Sequence, residues 1–205
     1  MNSIGISIGW NCYSAIKGVD MGIRNIRSEG YKTCPFDEAI TNYTGIVQCI
    51  KDDFKYFLDL DYIELFKVSE ECPYCTGDIL IRNTKYNFVF NHESPGHANL
   101  WQIQGWAGGK DHFISNSFYN FKERYSMRIE NFRNYLTSGN EIVFLLTRSY
   151  PSETLELDNV LRDKYPNLLY RVVYLDLQLG SEHYKKHLSQ IMGLPDTDME
   201  IIRIK

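Results

Sequence analysis

Apolar and polar positions follow two different periods along this chain, and the changes between them mark its elements. Ile4-Gly5-Ile6-Ser7-Ile8 is a short apolar strand. Beyond Gly9, the residues Tyr13, Ile16, Val19, Ile23 and Ile26 recur every three or four positions, the period of a helix face. Gly18 and Gly22 weaken that helix by about 1 kcal/mol each. Ser28 to Pro35 reads as a loop, and a second helix is expected from about Asn42 to Leu58 with Ile46, Cys49, Ile50, Phe54, Phe57 and Leu58 on one side. The middle third changes character. Phe66-Lys67-Val68, Ile79-Leu80-Ile81 and Tyr86 to Phe90 look like short strands, with Arg82 to Lys85 a turn between the last two. His92 to Ser115 is long, irregular and carries Gly96, Gly105, Gly108 and Gly109. A loop of that length in a compact domain is usually functional or flexible. A long helix then covers Asn116 to Thr137, with Phe118, Phe121, Tyr125, Ile129, Phe132 and Leu136 inward. Lys122, Arg124, Arg128 and Arg133 give it a basic side, most of which is expected to be solvated.

The last third alternates strands and helices. Glu141 to Thr147 is nearly all apolar, as a strand covered on both faces must be. Ser152 to Lys164 reads as a helix capped by Ser152, with Leu155, Leu157, Val160 and Leu161 inward. Leu168 to Leu175 reads as a second buried strand, His183 to Met192 as a short helix stopped by Gly193 and Pro195, and Met199 to Ile204 as a final strand. Alternation of this kind predicts an α/β fold: a mainly parallel sheet of Ile4–Ile8, Ile142–Thr147, Leu169–Leu175 and Glu200–Ile204, with helices on both faces and a small β-hairpin and loop insertion in the middle third. The expected organisation is a single domain, 1–205, with the insertion at about 62–115. Ligands of such sheets sit at the carboxyl ends of the strands. Cys12 and Arg148-Ser149 both lie just past such ends.

Composition narrows the classes. A chain of 205 residues, with 23% charged and 43% hydrophobic residues, is that of a soluble globular protein with a sizeable core. A net charge of −4 gives no global basic signal for nucleic acid, so no nucleic-acid partner is expected. No apolar stretch reaches the length of a membrane span, and the start, Met1-Asn2-Ser3, is not expected to be a signal peptide. Five cysteines, an odd number, read as reduced thiols, and the expected compartment is the cytoplasm. The 15 Tyr, 11 Phe and 3 Trp fit either a large core or a stacking surface.

Cys12 is the foremost candidate for chemistry. It sits where a strand gives way to a helix, and Asn11 can cap that helix, placing Cys12 at its first position. Unpaired N–H groups and the helix dipole there ease ionisation of a thiol. The bland alternative is a tight turn at Gly9 followed by a small buried cysteine. A thiol nucleophile needs a base, and the base needs an orienting group. Of His92, His97, His112, His183 and His187, the best placed is His92, which follows an apolar strand and opens the glycine-bearing loop. Asp37, in Pro35-Phe36-Asp37, is a candidate orienter or second acid. Cys72-Pro73-Tyr74-Cys75 has redox or half-zinc spacing, but a turn and strand follow it where a redox pair needs a helix. A turn with two ordinary thiols is expected, with Cys72 and Cys75 as a weak metal alternative. Phosphate-loop, dinucleotide, H-E-x-x-H and G-x-S-x-G motifs are absent, and no cofactor is expected.

Ser7-Ile8-Gly9-Trp10-Asn11-Cys12, Pro35-Phe36-Asp37, Phe90-Asn91-His92-Glu93, Arg128-Ile129-Glu130-Asn131-Phe132-Arg133 and Ile142 to Arg148 occur in that order. Together they resemble an uncharacterised family labelled putative papain-like cysteine peptidases, whose members carry S-L-G-x-N-C, P-F-D-W, H-D or H-E after a strand, and an R-R-x-x-R-F helix before a strand ending in Arg. The resemblance covers roughly the first three quarters of the chain. It implies Cys12 as nucleophile, His92 as base and Asp37 as a further polar site residue. Glu38 stands where the family usually has Trp, and one Arg is missing before Ile129.

Three readings follow. The first is a cysteine-dependent hydrolase or transferase acting on a peptide, ester or thioester, with Asn11, Glu93, Arg128, Arg148, Trp101 and Trp106 as candidate binding residues. The second is a glycan-modifying or sugar-nucleotide-binding α/β domain, glycosyltransferase-like or esterase-like, in which Cys12 only packs while Asp37, Arg128, Arg148, Trp101 and Trp106 bind the ligand. It rests on fold-level analogy with esterases whose nucleophile follows the first strand. The third is a non-enzymatic interaction module using the aromatic loop. A Cys12 sulfur within about 4 Å of a His92 ring nitrogen separates the first from the others.

Overall fold

The computed structural model describes residues 3–68, 79–95, 108–147 and 154–175. Strand β1 (Ser3–Ser7) pairs in parallel with β5 (Glu141–Thr147), which pairs in parallel with β6 (Tyr170–Leu175), giving the sheet order β1-β5-β6. Ile6 lies opposite Phe144, and Phe144 opposite Val172. The central strand is buried from Ile142 to Thr147, which explains its unbroken apolar run. This is the mixed α/β architecture the patterning predicts. The expected strand Glu200–Ile204, the helix His183–Met192 and Ser152 lie outside the described residues.

Helix α1 (Cys12–Asp20) packs on β1 and β5. Gly18 permits the approach: a Cβ there would lie 2.2 Å from Leu145 Cδ1. The helix is shorter than the spacing out to Ile26 predicts. Gly22 takes φ +67°, and the N–H groups of Ile23 and Arg24 turn back to Gly18 O at 2.9 and 3.0 Å, ending the helix. Helix α2 (Tyr43–Lys51) begins as predicted, with Asn42 as its cap. Asn42 Oδ1 accepts from Gly45 N at 2.7 Å, while its amide donates to the carbonyls of Tyr86 and Asn87. The helix stops well before Leu58. Asp52 and Asp53 place two carboxylates at the negative end of the helix dipole, and Asp53 and Phe54 turn with φ 53° and 62°. Phe54 and Phe57 reach the core from that turn rather than from a helix.

A second sheet is antiparallel: β2 (Ile63–Lys67), β3 (Ile79–Asn83) and β4 (Phe88–Val89), in that order. Asn83 fixes the turn before β4, accepting from Tyr86 N at 2.9 Å and donating to Tyr56 O at 2.7 Å. Helix α3 (Ser115–Leu136) opens with Asn116, Ser117 and Phe118 in left-handed conformation, then presents Phe121, Tyr125, Arg128, Ile129, Phe132 and Leu136 to the interior. Helix α4 (Leu155–Lys164) buries Leu157 and Leu161; Leu155, expected inward, is exposed at the start of the first turn.

One hydrophobic cluster spans both sheets. Phe36 lies at its centre, with ring centroids of Phe54, Phe88 and Phe132 5.7–5.8 Å away. Most phenylalanines of the described residues are therefore core, in offset and edge-on contacts. Among the described residues, no helix is long and apolar enough to cross a membrane.

Two glycines give a test. A Cβ at Gly45 would lie 2.1 Å from the backbone oxygen of Tyr86, so Gly45→Ala must displace the chain that leads into β4. It should cost about 3 kcal/mol. Gly22→Ala meets open space and only left-handed strain, about 1 kcal/mol. Urea denaturation of the two variants should give that order; equal losses would deny the close approach at Gly45.

Candidate active site

Three segments distant in sequence are stitched together by main-chain bonds. Trp10 O accepts from Thr41 N at 2.7 Å. Ile40 and Val89 exchange N–H···O bonds of 2.8 and 2.9 Å, and Phe90 N donates to Ile81 O at 2.9 Å. The turn after β1, the Pro35-Phe36-Asp37-Glu38 loop and the short 3-10 turn Asn91–Glu93 thus lie side by side. Cys12, Glu38 and His92 each stand two or three residues from one of these bonds.

Asn11 caps α1, its side chain accepting from Tyr13 N at 2.9 Å, and Cys12 is the first helical residue. The three free cysteines among the described residues differ in access: Cys12 is partly exposed, while Cys34 and Cys49 are buried. Burial pushes the Cys12 thiol above its ordinary range; its backbone N–H pulls the other way, and the nearby Glu38 carboxylate pushes it up again. The helix terminus acts with the expected sign, but burial outweighs it, so the resting sulfur is a thiol.

Glu38 belongs to an ion network anchored on α3. Arg128 Nη2 donates to Glu38 Oε2 in a very short contact, and Arg124 Nη2 donates to the same oxygen at 3.2 Å. The same arginines hold Glu93: Arg124 Nε donates to Glu93 Oε1 at 2.8 Å, and Arg128 Nη1 lies 3.5 Å from that oxygen. Tyr125 Oη donates to Glu93 Oε2 at 3.0 Å. Glu93 is fully buried and Arg128 nearly so, which overturns the expected solvated basic side of this helix at Arg124 and Arg128. The arginines turn inward because two carboxylates await them. Burial alone would raise the Glu38 carboxyl, but the charges of Arg128 and Arg124 and the Arg128 bond outweigh it and hold the group below its usual range, with His92 adding in the same direction. Glu38 is thus within electrostatic reach of both Cys12 and His92.

Asp37 is engaged elsewhere. It is fully buried and accepts from Cys34 N at 2.7 Å, Tyr31 Oη at 2.9 Å and Arg24 Nη2 at 3.1 Å. Arg24 also lies over the Tyr31 ring, 4.0 Å from its centroid. Burial raises the Asp37 carboxyl against the lowering effect of Arg24 and of the Cys34 and Tyr31 bonds. Among the described residues, these bonds make Asp37 a strut for the loop that carries Glu38.

Of the other sequence candidates, Asn11 caps the helix that Cys12 opens, Glu93 follows His92 in the 3-10 turn, and Arg128 pairs with Glu38 and Glu93. His112 lies in the turn just before α3, its carbonyl accepting from Asn120 Nδ2 at 3.1 Å. Arg148, Trp101, Trp106, Cys72, Cys75, His97, His183 and His187 lie outside the described residues. Among the described residues, no group of three His, Cys, Asp or Glu side chains is arranged to hold a metal ion. Glu38 and Arg124, which complete an ion network with Glu93 and Arg128, are not among the candidate site residues read from the sequence. Arg124 was detectable as the residue one helical turn before Arg128, and Glu38 as the second of two adjacent carboxylates in an otherwise apolar loop.

The strut role of Asp37 is testable. Asp37→Asn should cost about 3–5 kcal/mol, because it leaves the Arg24 charge buried without its counter-ion. Chemical denaturation measures the loss; a stability near wild type would return Asp37 to the site.

A stretch of 150 residues is 24% identical to an uncharacterized protein of Acanthamoeba polyphaga mimivirus, covering 72% of this chain and 63% of that protein. No solved structure matches. The family DUF1796, described as "Putative papain-like cysteine peptidase", matches residues 4–179. That span takes in the Cys12 junction, the Asp37-Glu38 loop, the His92 turn and α3, and on it this chain belongs to that family.

Proposed function

We propose that this protein is a cysteine-dependent hydrolase or transferase acting on a peptide, ester or thioester, with Cys12 as nucleophile and His92 as base. The observation that carries the reading is the set of main-chain bonds that lays the turn before α1, the Glu38 loop and the strand leading to the His92 turn side by side. The family description supports it.

In this reading the sulfur rests as a thiol. His92 takes the thiol proton as sulfur attacks the acyl carbonyl, and returns it to the leaving group as the tetrahedral intermediate collapses. The Cys12 N–H, at the positive end of α1, is the donor best placed to stabilise the oxyanion. The resulting thioester passes its acyl group to water or another acceptor. The free thiols of Cys12, Cys34 and Cys49 fit a reducing compartment such as the cytoplasm.

Iodoacetamide followed by peptide mapping tests the nucleophile. Cys12 should be alkylated well before Cys34 and Cys49, whose thiols burial holds far above their ordinary range. Because the Cys12 thiol is itself raised, its rate should climb about tenfold per pH unit across the neutral range, with no plateau until above about pH 9. Cys12→Ser should abolish turnover and leave the thermal midpoint nearly unchanged, while His92→Ala should slow acyl transfer by about 10²–10⁴. If Cys12 resisted alkylation until the protein unfolded, it would be a packing residue and this reading would fall.

A further inference from the structure

A cleft opens at the amino end of the parallel sheet, where α3 and α4 both end. It encloses about 290 Å³ between the end of α3 at Leu136, the Gly139-Asn140 turn into β5, and the segment from Lys164 to Leu169 that joins α4 to β6. That size is near the lower end for small-molecule sites. The strands run parallel, so this end lies a strand's length, roughly 20 Å, from the end at which Cys12 follows β1. Leu136 is buried and Leu169 exposed, so an apolar wall runs from the interior to the mouth. Side-chain charge on the lining has one sign. Lys164 lines the cleft, no carboxylate does, and Lys164 has no acidic partner among the described residues. The main chain supplies the other sign, because a helix end carries the negative pole of the dipole and carbonyls that lack an intrahelical donor. The N–H groups of Thr137, Ser138 and Tyr165 take up the carbonyls of Arg133, Tyr135 and Leu161. Among the described residues, the carbonyls of Leu136 and Lys164 receive no donor.

We propose that this cleft binds a free apolar amino acid of about the size of leucine. Its carboxylate pairs with Lys164, its ammonium donates to the helix-end carbonyls, and its side chain lies along Leu136 and Leu169. A simple carboxylate would meet Lys164 but also the negative ends of two helices. A simple amine would meet those ends but also the Lys164 charge. A zwitterion carries both charges on one carbon and answers both. A residue inside a peptide has neither charge, so the cleft favours the free amino acid over a peptide. Reactions on sheets of this kind belong to the carboxyl end of the strands. A ligand at the amino end is therefore an effector of the fold rather than a substrate, and its binding does not depend on the role of Cys12.

The test is an NMR titration of the isotope-labelled full chain with leucine. The amide signals of Gly139, Asn140 and Asn167, which line the cleft, should shift together and saturate, with a Kd on the order of 1 mM or below. N-acetylleucine lacks the ammonium and isopentylamine lacks the carboxylate. Each should bind at least about 10-fold more weakly than leucine, since each forgoes hydrogen bonds to a charged group. Lys164→Gln removes a charge that holds no partner among the described residues, so the thermal midpoint of the unliganded chain should stay near wild type while leucine binds about 10-fold more weakly. The three ligands compared on the wild-type chain decide the matter even if that variant does not fold. No saturable shift at these amides with leucine would overturn the proposal. So would equal affinity for N-acetylleucine or isopentylamine, or leucine binding unchanged in folded Lys164→Gln.

Discussion

The fold is held to its site by the burial of Arg128. A guanidinium taken out of water costs several kcal/mol unless its charge is met, and breaking such a pair costs more than forming it gains. Arg128 lies on the same helical stripe as Phe121, Tyr125, Ile129 and Phe132, so burying the stripe carries the charge inside. Glu38 and Glu93 must come to it. Glu38 arrives on a loop and Glu93 on a single 3-10 turn, and neither segment has a longer helix or strand of its own to fix it there. Packing of α3 and placement of the Glu38 and His92 loops are therefore one event, and the interior behind the site cannot form with the site disassembled.

Asp37 and Glu38 show how much a single residue step changes. The two carboxylates are adjacent in sequence and both are paired with arginine, yet they serve opposite sides of one loop. Asp37 reaches Arg24, in the segment that follows α1, and Glu38 reaches Arg124 and Arg128 on α3. Phe36, just before them, enters the aromatic cluster between Phe54, Phe88 and Phe132. The loop is thus fixed by an apolar anchor and by charges on both sides. Its rigidity comes from side chains, which explains how a stretch without helix or strand can hold a carboxylate within reach of both Cys12 and His92.

The parts of the fold that were legible in the sequence are those set by local periodicity. The apolar run of β5, the parallel partners on either side, the Asn11 cap and the length of α3 all follow from residue patterns a few positions long. Helix ends were legible only in part. The apolar spacing of Ile23 and Ile26 continued a helical period that Gly22 had already broken, and Phe54 and Phe57 continued one that Asp52 and Asp53 oppose. The site is harder to read because charge type is a poor guide to exposure on α3. Arg128 stands three residues after Tyr125 and one before Ile129, so its position on the buried stripe was available from spacing; its chemistry argued the other way. Which of two adjacent carboxylates pairs with Arg124 and Arg128 depends on the packing of α3, some ninety residues later in the chain, and no local pattern contains that.

The state of Cys12 follows from a competition with a definite sign. A helix N-terminus stabilises a thiolate through the same N–H groups that would stabilise an oxyanion, so one feature cannot serve both fully at once. Here burial and the Glu38 carboxylate oppose ionisation, and the sulfur keeps its proton at rest. In the proposed reaction the N–H of Cys12 is then not committed to neutralising a thiolate and remains to meet negative charge as it develops on an acyl group. A protonated sulfur is also a poor target for oxidation, since the thiolate is the reactive form. If Cys12 is the nucleophile proposed above, what the arrangement forgoes in resting nucleophilicity is recovered only with a base beside the sulfur, so that reading asks more of the placement of His92 than it would beside a thiol already ionised.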